Sequence, residues 1–94
     1  MEPITRAEYF SKVDSLHLPT LIAVEHDLPN GIQCNWFVST TYRPNREETF
    51  WVWCTNNLKG YIRQYPPIHD TEAWWGFTDK QDVVWWLLKW SEYV

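Results

Sequence analysis

EAWWGFTDKQDVVWWLLKWSE, residues 72–92, decides the fold. Its first six residues carry three aromatics, Trp74, Trp75 and Phe77, and read as a strand over 72–77. Thr78-Asp79-Lys80-Gln81 then matches a capping box, in which a hydroxyl caps the first turn and a Gln or Glu reaches back. A helix over 79–92 follows, with Val83, Trp86, Leu87, Trp90 and Val94 as its buried stripe. Val84, Trp85 and Leu88 widen the apolar arc beyond one face. A helix apolar over so much of its circumference is either deeply enclosed or covers a partner.

Working outward, Thr5-Arg6-Ala7-Glu8 is a second capping box, and the spacing of Ala7, Phe10, Val13 and His17 predicts a helix over 5–17. Leu18-Pro19 ends it. The β-branched content of 20–26 predicts a strand, and Leu28-Pro29-Asn30-Gly31 a turn in which Gly takes positive φ. Residues 32–42 alternate cleanly, with Ile32, Cys34, Trp36 and Val38 on one side and Gln33, Asn35, Phe37, Ser39 and Thr41 on the other. A turn at 43–46 leads to a third strand over 49–55. For 56–65 the spacing of Leu58, Tyr61, Ile62 and Tyr65 favours a short helix over a strand, despite Gly60, and Pro66-Pro67 closes it. The expected architecture is α+β, in the order α-β-β-β-α-β-α. A four-stranded, mainly antiparallel sheet forms a single layer packed by the N- and C-terminal helices, in one domain spanning 1–94.

Eight of the 94 residues are tryptophan, a side chain that dominates cores and binding hot spots alike. On the expected third strand Phe50, Val52 and Cys54 face inward, because Val and Cys are commonly buried types. Trp51 and Trp53 then lie outside beside Phe37, and Trp74 joins them from the fourth strand. Phe37, Trp51, Trp53 and Trp74 are therefore the expected partner-binding strip, with a homodimer seam or a second small core as the other readings.

The chemistry of sites is sparse. Cys34 and Cys54 lack the close ligand pairs of a zinc site and read as buried free thiols, lying on the same face of neighbouring strands; no metal and no cofactor is expected. His26-Asp27 and His69-Asp70 are ordinary loop pairs, no serine has a nucleophile context, and no glycine loop binds phosphate, so no enzyme is expected. A net charge of −4 with scattered bases argues against nucleic acid and anionic membranes. No apolar run is long enough to span a bilayer, and residues 1–5 lack signal-peptide character, which points to the cytoplasm.

The resulting expectation is a non-enzymatic protein that binds and inhibits or regulates a protein partner. In size, aromatic richness and lack of enzyme motifs the chain is similar to the small accessory proteins of bacteriophages, which implies a host-takeover or anti-defence role. The alternatives are a single-stranded nucleic-acid binder, with Arg43, Arg46, Lys59 and Arg63 on phosphates, and a small-molecule pocket protein.

Overall fold

A computed structural model describes residues 2–41 and 43–93. It is α+β: four α-helices and a four-stranded antiparallel sheet. The order is β1 (Ile4–Thr5), α1 (Arg6–Lys12), α2 (Leu18–His26), β2 (Trp36–Thr40), α3 (Phe50–Asn57), β3 (Ile62–Tyr65), β4 (Ala73–Phe77) and α4 (Lys80–Trp90). Strands lie side by side as β1-β2-β4-β3, so β2 and β4 are central and β3 is an edge. In register, Val38 lies opposite Trp75, and Ile62 opposite Phe77.

The expected strand 72–77 and helix 79–92 are present as β4 and α4. Asp79 rather than Thr78 is the cap, its carboxylate accepting from the Gln81 N–H at 2.9 Å. The Thr78 hydroxyl instead accepts the Tyr61 N–H at 2.9 Å, tying β3 to β4. Thr5 caps α1, accepting from the Glu8 N–H. The turn at 28–31 is also present, with Asn30 at φ 55° and Gly31 at φ 69°. The strand expected over 32–42 is shorter, and Tyr42 and Val94 lie outside the described residues.

The helix expected over 5–17 stops at Lys12, where Val13 turns extended and its N–H closes on the Tyr9 carbonyl. Three further elements differ from expectation, each for a physical reason. Residues 20–26 are helical. Pro19 does not end a helix but sits in the first turn of α2, where its fixed φ fits and no N–H is needed. Leu21 and Leu28 then reach the core while Ile22 stays out, a tertiary choice that overrides β-propensity. Residues 50–57 are helical as well. A two-residue and a four-residue repeat both bury Phe50 and Cys54; only Val52 separates them, and it is 61% exposed. Residues 62–65 form a strand, not a helix. Its alternation is unreadable because Ile62 and Tyr65 are buried on opposite faces of the sheet.

The sheet is covered on both sides. Against α3 and α4 lie Val38, Ile62, Ala73, Trp75 and Phe77, packed on Phe50, Cys54, Val83, Trp86 and Trp90. Against α1 and α2 lie Phe37, Tyr65 and Trp74, packed on Tyr9, Leu21, Leu28 and Cys34. Tyr9 and Phe37 stack at 4.4 Å between ring centroids, 4° from parallel. Gly76 makes this second core possible: a Cβ there would come closer than 3.0 Å to both the Tyr65 and Phe37 rings.

Candidate functional site

Burial of the sheet on both faces disperses the expected strip. Phe37 is fully buried and Trp74 nearly so, both under α1 and α2. Trp51 and Trp53 sit on α3, across the sheet. Trp53 is half-buried with its ring 6.1 Å from Trp90, whereas Trp51 is exposed, edge-on to Phe50 at 4.7 Å. The four therefore form no continuous surface, and of them Trp51 is the most exposed.

A continuous apolar surface exists elsewhere, on α4. This helix is anchored from within. Val83, Trp86 and Trp90 enter the core, and the buried Asp82 carboxylate accepts the Lys59 and Gly60 N–H groups at 2.9 and 2.8 Å. With the inner face so occupied, positions three and four apart on the other side must point outward. Those positions carry Val84, Trp85 and Leu88, exposed by 60%, 59% and 70%. Gln81 shares a shallow depression with them. Along one flank a groove of about 370 Å³ runs between α4 and Glu2-Pro3, reaching Lys80, Val84, Leu87 and Leu88. The Lys80 ammonium at its start stacks 4.7 Å from the Trp36 ring centroid. These residues lay in plain view as the surplus apolar arc of the C-terminal helix. The helical period identified them; their exposure needed the fold.

The polar groups are used in folding. Arg6 donates from both guanidinium Nη atoms to Glu25, one of them at 2.9 Å, and also to the Cys34 carbonyl at 2.9 Å. Tyr65 donates its hydroxyl to Glu25 at 3.0 Å. Desolvation holds the Tyr65 phenol far above its ordinary range, with Cys34 and Glu25 adding to the effect. Burial also raises the Cys34 thiol, partly opposed by the Tyr65 hydroxyl. Cys54 is pushed up to about 11 by burial, partly opposed by the Trp86 indole. Both cysteines are free and buried. The shared face that the sequence led us to expect is not found: they lie in the two cores on opposite sides of the sheet. Neutral, enclosed thiols make poor nucleophiles and poor ligands.

Among the described residues no group of three or more His, Cys, Asp or Glu is placed to hold a metal ion. The His69 N–H is bonded to Glu72 at 3.0 Å within its own loop. No described helix is long and apolar enough to cross a membrane. Comparison with known protein families, curated proteins and solved structures finds no match to this chain.

Proposed function

We propose that this chain is a non-enzymatic binding protein that docks on a protein partner, and inhibits or regulates it, through the outer face of α4. One observation carries the reading: Val84, Trp85 and Leu88 stand side by side in solvent on a helix whose other face is fully committed to the core. Three large apolar side chains on one rigid helix face form the kind of anchor that helix-mediated interfaces use, and Trp is the residue most enriched among binding hot spots. The site sits on a structured element, so little ordering entropy opposes binding. A cytoplasmic bacteriophage accessory protein of the host-takeover or anti-defence kind is the biological setting proposed for it.

The test is a Trp85→Ser/Leu88→Ser variant, used beside wild type as bait in quantitative affinity capture from host lysate. Proteins retained by wild type are expected to be lost by the variant, with an affinity drop of at least about 30-fold for a hot-spot Trp. The variant's thermal midpoint stays near wild type. Identical capture by both baits refutes the assignment. Sedimentation of wild type as a dimer, with the variant a monomer, identifies the face as a homodimer seam instead.

A further inference from the structure

A second surface, at the β3 edge of the sheet, has a different chemistry. A groove of about 370 Å³ runs between α3 and β3, walled by Trp51 and Thr55 on the helix side and by Tyr61, Ile62 and Arg63 on the strand side. Its lining holds two cations, Lys59 and Arg63, against one carboxylate beneath it, the buried Asp82 that accepts the Lys59 and Gly60 N–H groups. In a chain of net charge −4 that is a local reversal of sign. The Arg6–Glu25 ion pair involves neither of these cations. The Arg63 guanidinium is instead laid over the Tyr61 ring at 5.7 Å.

The strand side supplies directional groups as well. The Thr78 N–H donates to the Tyr61 carbonyl at 3.1 Å, which fixes Tyr61 as a residue bonded toward β4. Antiparallel pairing alternates, so the backbone groups of Ile62 and Gln64 face away from β4, along the open edge. The Ile62 carbonyl there accepts from the Arg63 side chain at 2.8 Å. An open strand edge with a helix as its opposite wall is the arrangement in which an extended peptide adds as a further strand.

We propose that the α3–β3 groove binds an extended acidic peptide segment, which pairs with the β3 edge and places carboxylate side chains on Lys59 and Arg63. Four residues of such a strand span roughly 13 Å. Side chains at alternate positions point the same way, so acids two apart face the cations while the residues between them cover Trp51. A second copy of this chain is the poorer occupant: in the symmetric register that pairs Ile62 with Gln64, Arg63 lies opposite its own counterpart, and like charges so opposed destabilise a ladder. The Arg63–Ile62 bond occupies one edge carbonyl when no ligand is present and must yield when one binds.

A random heptapeptide display library, panned on the intact chain, tests this. Enriched sequences are expected to carry Asp or Glu at alternate positions. The best synthetic peptide, labelled for fluorescence anisotropy, should bind a Lys59→Gln/Arg63→Gln variant about tenfold more weakly or worse, and should weaken with added salt. Methylating alternate backbone nitrogens of the peptide should remove binding, which a purely ionic contact would not show. Lys59 is exposed and Arg63 half-buried, and an unchanged thermal midpoint certifies the fold. Four outcomes overturn the proposal: no enrichment of acidic sequences, retained affinity in the variant, retained affinity of the methylated peptide, or displacement of the peptide by an oligothymidylate that itself binds through the same two cations. If no peptide is selected and the variant self-associates, Arg63 serves only to protect the edge.

Discussion

Trp85 and Trp86 are chemically identical neighbours with opposite fates, and truncating each in turn isolates what tertiary placement contributes. Trp86 is fully buried, its ring 5.5 Å from Phe77, 5.7 Å from Trp75 and 6.3 Å from Phe50. A buried aromatic removes roughly 150–250 Å² from water. At about 25 cal/mol per Å² that is worth roughly 4–6 kcal/mol, an upper figure because the unfolded chain already hides some of it. Trp86→Ala should therefore cost about 3–5 kcal/mol, the usual range for such truncations. Total stabilities run to about 5–15 kcal/mol, so the variant sits at the margin of folding. Trp85 is 59% exposed, and Ala is the better helix former, so Trp85→Ala should cost about 1 kcal/mol or less. Urea unfolding followed by far-ultraviolet circular dichroism reads the difference directly. With a slope of about 1–3 kcal/mol per molar, the Trp86→Ala midpoint drops by roughly 2 M while that of Trp85→Ala barely moves. Equal midpoints in the two variants, or a larger drop for Trp85→Ala, would refute the placement of α4.

Three further outcomes are expected. Gly76→Ala should destabilise by about 1–3 kcal/mol, since the new methyl meets the Tyr65 and Phe37 rings across β4; an unchanged thermal midpoint would mean those rings move aside without cost. Thiol reagent should label native protein slowly and find two equivalents after unfolding without reductant, because Cys34 and Cys54 are free and buried; a missing thiol would reveal a disulfide. Stability should fall as pH rises from about 9 toward 11: burial raises Cys54 from an ordinary 9.0 to about 11, so over that window the unfolded thiol loses its proton while the native one keeps it. Thermal midpoints of wild type and Cys54→Ala across this range check the point, and parallel curves would show that Cys54 contributes nothing.

The local signals that survived folding are those in which one short segment satisfies its own backbone. Thr5 and Asp79 cap their helices, Asn30 and Gly31 take positive φ, and the period of 79–92 places Val83, Trp86 and Trp90 on one stripe. Such features depend on neighbours within about four residues, and the sequence by itself determined them, together with the α+β class. What it could not determine was how many faces of the sheet would be covered. With one face assumed open, Phe37, Trp51, Trp53 and Trp74 looked like a surface. With helices on both faces, Phe37 and Trp74 became core, and the apolar segments 20–26 and 50–57 became the helices that cover them or the opposite side. A short apolar run holds enough hydrophobic residues for either a strand or a helix, and only the surface it packs against selects the period. The same tertiary choice decided the candidate site. Because α4 had to bury Val83, Trp86 and Trp90, its remaining apolar side chains, Val84, Trp85 and Leu88, had nowhere to go but into solvent.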